Sequence, residues 1–450
     1  MKDLLTIILA AGKGTRMKSD KPKVLHPVGG KPMLEHVVET AEAISSEIIC
    51  VVGYQGKVVR EKFKEQPIRF VKQKKQLGTG HAVIQARKYI DRHQGPVLIL
   101  YGDTPLITKK TLEKMVDYHR TNDSALSVLT ARIDNPEGYG RIIRDANEQI
   151  EKIVEEDDAD AQEKEINEIN TGVYCFNSEL LLEALDKIDC DNAQGEYYLT
   201  DAVDFINQKS GKVIPVVVED NEEIIGINTR KGLAEAEKIY RKWINNKHLK
   251  QGVTLIDPEN TYIDAGVKIK KDTTIYPYTY LEGDCEIGEN VTIGPNNRLI
   301  NSKIGDQVEL KANCIIRSSE VKKDCTIGPF AYIRPGSSLA QGVKIGDFVE
   351  LKKAQVGEGT KIPHLSYVGD ALIGNNTNVG AGTVFANYDG ENKHQTKVGD
   401  SSFIGSNTTL VAPVNIEKGG KTGAGAVVTK DVPENTVVIG VPARIYKKED

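Results

Sequence analysis

The sequence predicts two folded halves: an open α/β domain of Rossmann-like type, then a connecting helix and a parallel β-helix built from hexapeptide repeats. Three observations predict it. Apolar, strand-like runs alternate with helical patterns through the first half of the chain. A six-residue aliphatic period runs through the second half. Of 41 glycines, 24 fall after residue 250. At 450 residues the chain exceeds one ordinary domain, and the change in character sets the expected boundaries at 1–229, 230–250 and 251–450.

Composition narrows the class. Apolar residues at 39% with 27% charged describe a folded globular chain. A net charge of −5, from 59 basic and 64 acidic side chains, argues against nucleic acid as the main partner, since phosphate neutralisation needs a basic surplus. No run approaches the ~20 apolar residues of a membrane span, and Met1-Lys2-Asp3-Leu4 does not read as a secretory leader. The six cysteines never fall closer than eleven apart, so no CxxC zinc or redox motif exists. They read as reduced thiols, and a cytoplasmic location is expected.

In the first half, the continuous apolar run Leu4–Ala10 leads directly into Ala11-Gly12-Lys13-Gly14-Thr15-Arg16. A buried parallel strand entering a Gly-rich turn opens a nucleotide-binding sheet. Further strands are expected at 48–52, 68–71, 97–101, 125–131, 172–176 and 213–218, with helices at 33–44, 80–89 and 109–118. Alternation of this kind implies a largely parallel sheet covered on both faces. Gly12-x-Gly14 lacks both the third glycine of the dinucleotide fingerprint and the Gly-Lys-Ser/Thr of a Walker loop. Its companions give it meaning. Lys13 and Arg16 sit on the turn, Pro22-Lys23 adds another cation, and Asp103 follows a strand end, where open α/β sheets bind ligands. A carboxylate there suits Mg²⁺ held between phosphates.

Between the halves, Thr229 is expected to cap a helix running past Trp243 toward Leu249, with Gly252 ending it. Leu233, Ala236, Ile239, Tyr240, Trp243 and Ile244 recur at helical spacing, so its basic face reads as the solvated side of an amphipathic connector.

In the second half periodicity decides the fold. Ile287, Ile293 and Leu299 lie six apart, as do Val321, Ile327, Ile333, Leu339, Ile345 and Leu351, and again Val398, Ile404, Leu410 and Ile416. A helix needs a period of 3.6 and an amphipathic strand a period of two; six belongs to a parallel β-helix. Three hexads make a coil of about 18 residues, giving roughly ten coils in a prism near 50 Å long. The repeat is expected to break from Phe385 to Lys397, placing a polar loop on one face beside His364, Lys352, Asn378 and Ser406.

These residues carry a family resemblance. Leu9-Ala-Ala-Gly-Lys-Gly-Thr-Arg-Met17 with Lys21-Pro-Lys-Val-Leu25 resembles the signature of sugar-1-phosphate nucleotidylyltransferases. Gln76–Ala82, Leu100–Leu106, Gly138–Ile142, Ile153–Glu155, Glu168–Gly172, Gln194–Asp201 and Gly226–Asn228 extend the likeness in order. Thr326–Gly336, Glu350–Ala354, Gly380–Thr383 and Phe403–Thr408 continue it through the second half. The whole is similar to the bacterial bifunctional N-acetylglucosamine-1-phosphate uridylyltransferase / glucosamine-1-phosphate acetyltransferase family.

The resemblance implies an α/β Rossmann-like nucleotidyltransferase domain, a linker helix and a left-handed parallel β-helix acetyltransferase domain that forms a homotrimer. Its implied substrates are UTP, acetyl-CoA, glucosamine 1-phosphate and N-acetylglucosamine 1-phosphate, with Mg²⁺ as cofactor. For uridylyl transfer it implies Lys23 and Arg16 as catalytic cations and Asp103 and Asn228 as metal ligands. Leu9, Ala10, Ala11, Gly12, Lys23, Gln73, Gly78, Thr79, Tyr101, Gly102, Asp103, Gly140, Glu155, Asn170 and Asn228 would contact the sugar nucleotide, with uracil against Ala10, Ala11, Gly12, Gln73 and Gly78. For acetyl transfer it implies His364 as general base, an imidazole suiting transfer near neutrality. Arg334, Lys352, Tyr367 and Asn378 would hold the sugar phosphate, and Ala381, Asn387, Tyr388, Ser406 and Ala424 the acetyl-CoA. Where some members carry Arg before the terminal Val-Pro, this chain has Gly440, leaving Arg444 as the candidate for the CoA 3′-phosphate. Two rivals follow from the same features. One is a nucleotidylyltransferase whose β-helix only oligomerises or binds an effector; the other is a non-catalytic regulatory subunit.

Overall fold

A computed structural model describes residues 3–448. The chain divides between Tyr240 and Arg241 into two compact units.

The first unit is built on a nine-stranded sheet. Its strands are β1 (Leu5–Ala10), β2 (Glu47–Val52), β3 (Arg69–Lys72), β4 (Pro96–Tyr101), β5 (Leu126–Arg132), β6 (Arg141–Arg144), β7 (Ile150–Val154), β8 (Glu168–Asn177) and β9 (Val213–Val217). Their order is β9-β5-β8-β4-β1-β2-β3, with the β6–β7 hairpin attached to β8. β1 pairs in parallel with β2 and β4. β1 is aliphatic except at Thr6, whose buried hydroxyl is hydrogen-bonded with that of Ser45 at 2.6 Å, because both of its faces are covered: Leu5, Ile7 and Leu9 enter one core, Ile8 and Ala10 the other. Helix Met33–Glu42 supplies Leu34, Val37, Val38 and Ala41 to the second core, and helix Lys109–Thr121 adds Leu112, Met115 and Val116. Helix Ser178–Leu185, capped by the Asn177 carboxamide oxygen, covers the first with Leu181, Ala184 and Leu185.

Three expectations need correction. β8 runs antiparallel to both β4 and β5, so the sheet is mixed. The β6–β7 hairpin is absent from the sequence reading because its strands are short and charged. The single helix expected at 80–89 is two short ones, Thr79–Ile84 and Arg87–Ile90, separated at Gln85 and Ala86.

Helix Arg230–Lys250 forms as the amphipathic pattern requires. The Thr229 hydroxyl accepts from the Gly232 N–H at 3.1 Å, and Gly252 takes the left-handed conformation just past the end. Within the first unit its residue Tyr240 packs edge-on to His36.

The second unit is a three-sided parallel β-helix with sheets of twelve, ten and nine strands. Ile275 pairs with Ile293, Ile293 with Leu310, Leu310 with Ile327, Ile327 with Ile345 and Ile345 with Ile362, so each coil takes 17 or 18 residues. Every one of these aliphatics is at most 1% exposed. Corners turn through residues at positive φ, among them Asn290, Asn296, Asn313, Asn376 and Asn407. Buried Asn297 is satisfied inside the prism: its amide donates to the Gly294 and Lys311 carbonyls, and its oxygen accepts from the Cys314 N–H. Among the described strands of this unit, Arg444–Lys448 departs from the parallel pattern and pairs antiparallel.

The repeat breaks later than expected. Phe385 is fully buried on strand Val384–Ala386, and the Thr396–Val398 strand rejoins its sheet. Residues 388–395 leave the prism between these strands, so Val379 meets Ile404 rather than a residue 17 or 18 on. All six cysteines are unpaired, and only Cys190 is exposed.

Leu351 stacks between Ile333 and Val368 with no exposed surface. Leu351→Ala is expected to destabilise the second unit by about 2–5 kcal/mol, because adjacent coils hold the cavity open. Chemical denaturation of the intact chain monitors it.

Candidate functional site

The first cluster forms where β1 and β4 end. Beyond β1 the Gly12–Gly14 loop leads into the 3-10 turn Thr15–Met17, and Gly14 lies at positive φ. A Cβ there would fall 2.7 Å from the Lys23 Cβ, so glycine lets the loop close over the lysine stem. Lys23 opens its own 3-10 turn after Pro22, whose fixed φ starts it. Its ammonium donates to the Asp103 carboxylate and, at 2.9 Å, to the Asn228 side-chain oxygen. Asp103 follows β4 after Gly102, whose N–H donates to the Leu9 carbonyl at 2.9 Å. The Asp103 carbonyl accepts from the Ile227 N–H at 2.9 Å, which brings Asn228 alongside across 125 residues of chain. Leu9, Ala10 and Ala11 are buried at this strand end, whereas Gly12 and Arg16 are exposed.

Two oxygen ligands thus converge on one cation, with a single carboxylate between them. Among the described residues no group of three or more His, Cys, Asp or Glu could form a protein cage for a metal. A hard divalent ion such as Mg²⁺ is satisfied by one or two carboxylate or amide oxygens when substrate phosphates complete its shell. The donor set fits that ion.

Nearby, Gly140 lies under Glu155: a Cβ on Gly140 would stand 3.3 Å from the Glu155 carboxylate. Burial pushes the Glu155 carboxyl above its ordinary range, against the Thr200 hydroxyl that donates to it at 3.2 Å. The Gly140 carbonyl accepts from the Asn170 N–H, and the Asn170 amide donates to the Tyr174 hydroxyl at 2.6 Å. Tyr101 ends β4 against Gly172, where any side chain would collide with its ring at 2.6 Å. Thr79 accepts from the Leu199 N–H at 3.1 Å. Gln73, just past β3, is buried and donates to the Gly78 carbonyl at 3.1 Å.

The second cluster stands on consecutive coils of the β-helix. His364 ends strand Lys361–His364 directly opposite Asp347, which ends Lys344–Asp347. Their side chains meet at 2.5 Å between Nδ1 and Oδ1. That contact holds the Asp347 carboxyl below its usual value. On the adjoining sheet Arg334 donates to Glu350 at 2.7 Å, and Lys352 ends the same strand as Glu350. The Lys352 ammonium is pushed down by neighbouring Lys393, a second cation at the same place. Tyr367 pairs in register with Glu350, its hydroxyl 3.5 Å from the Asn387 oxygen, while the Asn387 amide donates to Asp370 at 2.5 Å. Tyr388 opens the excursion and is exposed.

At the His364 corner a column continues coil by coil. The His364 carbonyl accepts from the Gly382 N–H, the Ala381 carbonyl from the Asn407 N–H at 2.7 Å, and the Ser406 carbonyl from the Gly425 N–H at 2.8 Å. Ala381, Ser406 and Ala424 therefore stack along one edge leading away from His364. Asn378 pairs in register with Lys361 three residues short of the histidine, and its side chain makes no hydrogen bond to it. Arg444 lies exposed on the last strand, donating to its neighbour Ala443 at 3.0 Å.

The nucleotidyl transferase family profile matches residues 5–252, and the bacterial transferase hexapeptide profile (six repeats) matches 266–301. The bifunctional protein GlmU of Acetivibrio thermocellus is 47% identical over 450 residues, covering 100% of this chain and 97% of that protein. GlmU of Geobacillus sp. (strain WCH70) is 48% identical, covering 98% and 96%, and that of Caldanaerobacter subterraneus subsp. tengcongensis 51%, covering 98% and 95%. This chain belongs to the GlmU family. A solved UDP-glucose pyrophosphorylase complexed with UDP-glucose has a TM-score of 0.44 at 22% identity, covering 53% of this chain and 98% of that one.

Seen as a GlmU family member, the chain contains several functional candidates that the sequence reading did not single out. Asp347 is separated from His364 by 17 residues, a distance with no meaning until coil length is known. Lys393 sits in the excursion, and Asp370 holds Asn387 from one coil below. Asp201, quoted only as the end of a motif, closes a carboxylate group with Asp204, Asp189, Glu155 and Asp158.

Burial first, and then those like charges, raise the Asp201 carboxyl to about 6. The folded state therefore binds this proton more tightly than the unfolded chain, and stability falls as pH rises from about 4 to about 6. Asp201→Asn is expected to flatten that slope and to gain about 1–2 kcal/mol above it, after discounting for solvent screening at a half-buried group. Denaturation at about pH 4 and about pH 8 tests it.

Proposed function

We propose that this chain makes UDP-N-acetylglucosamine from glucosamine 1-phosphate by two transfers, each in its own unit. The observation carrying this reading is that one chain, similar end to end to bifunctional relatives, contains both a cation-and-oxygen cluster at parallel strand ends and a His–Asp pair on a β-helix corner. A β-helix serving only as a scaffold has no use for the second. Intact Lys23, Asp103 and Asn228 argue equally against a non-catalytic subunit.

In acetyl transfer the 2-amino group of glucosamine 1-phosphate attacks the thioester carbonyl of acetyl-CoA. His364 Nε2 takes the amine proton as the C–N bond forms. Asp347 fixes the opposite nitrogen and stabilises the imidazolium that results, as the orienting acid does in a catalytic triad. The C–S bond then breaks, and the proton passes from His364 to the departing CoA sulfur. Arg334, Lys352 and Lys393 hold the sugar phosphate, while Tyr367 and Asn387 position the reacting end. Acetyl-CoA lies along the Ala381, Ser406 and Ala424 column with Tyr388 beside it, and Arg444 meets its 3′-phosphate.

In uridylyl transfer a phosphate oxygen of N-acetylglucosamine 1-phosphate attacks the α-phosphorus of UTP, and pyrophosphate leaves. Two anions must approach, so positioning and charge neutralisation do most of the work. Lys23 and Arg16 neutralise the phosphates, and Gly12 admits them against the backbone. Glu155, Asn170, Gly140 and Thr79 receive the sugar; Ala10, Ala11, Gln73 and Gly78 receive the uracil. Asp103 and Asn228 would hold Mg²⁺, which supplies positive charge between the phosphates when bound.

The second unit assembles as a homotrimer. Phe330, Phe348 and Leu365 sit at positive φ on exposed corners, with the two Phe rings stacked at 5.1 Å. A left-handed conformation costs a non-glycine residue about 1–2 kcal/mol, and coverage by another subunit offsets it. Six unpaired cysteines support a reducing, cytoplasmic setting. Among the described residues no helix is long and apolar enough to cross a membrane.

The purified protein should release CoA from acetyl-CoA with glucosamine 1-phosphate, and separately pyrophosphate from UTP with N-acetylglucosamine 1-phosphate and Mg²⁺. His364→Ala is expected to lower only the first rate, by about 10²–10⁴, and Asp103→Ala to abolish only the second. Loss of both from either substitution would contradict independent sites. Asp347→Asn should keep the acetyl-CoA KM and lower kcat at least tenfold, roughly, through the wrong histidine tautomer; unchanged kcat would remove Asp347 from the mechanism.

A further inference from the structure

We propose that His81 is a positioning residue that locks the Gln73 amide in the orientation that reads uracil, and thereby sets the preference for UTP over CTP. The proposal rests on the reading that places uracil against Gln73.

Gln73 lies just past β3. It is 3% exposed, and both of its amide contacts run through Nε2: one to the Gly78 carbonyl at 3.1 Å, one to His81 Nδ1 at 3.0 Å. A carbonyl only accepts, so the nitrogen end must face Gly78. Two N–H bonds then have two acceptors, and His81 Nδ1 must be one of them. A neutral imidazole has one donor and one acceptor, which makes His81 the Nε2–H tautomer.

The far side of the ring tests this assignment. Gln85 Nε2 donates to the His81 carbonyl at 3.1 Å and stands 3.2 Å from His81 Nε2. Were Gln85 to donate to the ring, Nδ1 would carry the hydrogen and confront the Gln73 N–H. Burial decides between the two. Gln73 is 3% exposed and its nitrogen has no acceptors other than Gly78 and His81 among the described residues, whereas Gln85 is only half-buried and can turn outward. The ring is further fixed against Tyr197 at 6.2 Å, whose carbonyl and N–H tie the same segment through Gly80 and Leu77.

With Nε2 occupied twice, the Gln73 oxygen is the end left without a hydrogen bond among the described residues. An acceptor suits uracil, whose N3 carries a hydrogen. It opposes cytosine, whose N3 is itself an acceptor. A free glutamine amide rotates to suit either base; this one would have to set its oxygen against two acceptors to do so. A site built around one hydrogen-bond pattern rejects the base with the opposite pattern because buried groups are left unpaired.

The experiment compares kcat/KM for UTP and CTP in the full chain. His81→Phe keeps ring volume and removes the acceptor; the UTP/CTP ratio is expected to fall about tenfold, mainly through a raised UTP KM. His81→Asn places an oxygen near the Nδ1 position and should restore most of the ratio. Gln73→Ala should lose it. A ratio unchanged in His81→Phe but lost in Gln73→Ala overturns the role of His81 alone. A ratio unchanged in both overturns the placement of uracil as well. Should His81→Phe fail to fold by circular dichroism, ¹⁵N solid-state spectra of histidine-labelled wild-type enzyme with UTP decide, using His81→Asn to assign the signal. An Nε2–H tautomer supports the proposal, and an Nδ1–H or doubly protonated ring overturns it.

Discussion

Parallel register between consecutive coils is the constraint from which the second unit follows. Each inward aliphatic must meet its counterpart one coil away, as Ile327 meets Ile345 and Ile345 meets Ile362. Once those contacts fix the pairing, every other residue on the paired strands is placed with them, because the register of a ladder is common to its whole length. Asp347 and His364 therefore face each other through no local preference of their own. They are aligned by the burial of Ile345 against Ile362 two residues earlier on each strand. The stem that stabilises the prism and the geometry that orients the base are one set of contacts.

The first unit solves a different problem. Its ligands come from segments far apart in sequence, so no repeat can align them. The sheet brings the ends of β1 and β4 together, and single backbone hydrogen bonds such as Gly102 to Leu9 and Ile227 to Asp103 draw in the loops. Glycines appear where those loops must approach closely: Gly14 over Lys23, Gly172 against Tyr101 and Gly78 against Tyr197. Positive charge at Lys23 holds Asp103 and Asn228 together in a cluster whose members gain nothing from proximity without a cation.

What the sequence made legible follows this division. Strong periodic signals survived intact: the aliphatic period of six, the amphipathic connector and its Thr229 cap, and the apolar strand Leu5–Ala10. The β6–β7 hairpin did not, since its alternation of Arg, Lys and Glu with isoleucine is brief and half exposed. Phe385 falls within the span whose polar residues mark a break, yet its own ring is fully buried in the interior. Partners such as Asp347 and Asp370 were hidden for a plainer reason. Nothing in a sequence marks position 347 as the neighbour of 364 until the length of a coil, 17 here and 18 elsewhere, is known from the fold.

The cysteines have a use apart from any of this chemistry. Five thiols are enclosed, with burial pushing Cys50 up to about 12 and Cys325 to about 11, so neither forms the reactive thiolate near neutral pH. Cys190 alone reaches solvent. The natural chain thus has one addressable position for a fluorophore or spin label, in the same unit as Lys23 and Asp103, without any cysteine having to be engineered away.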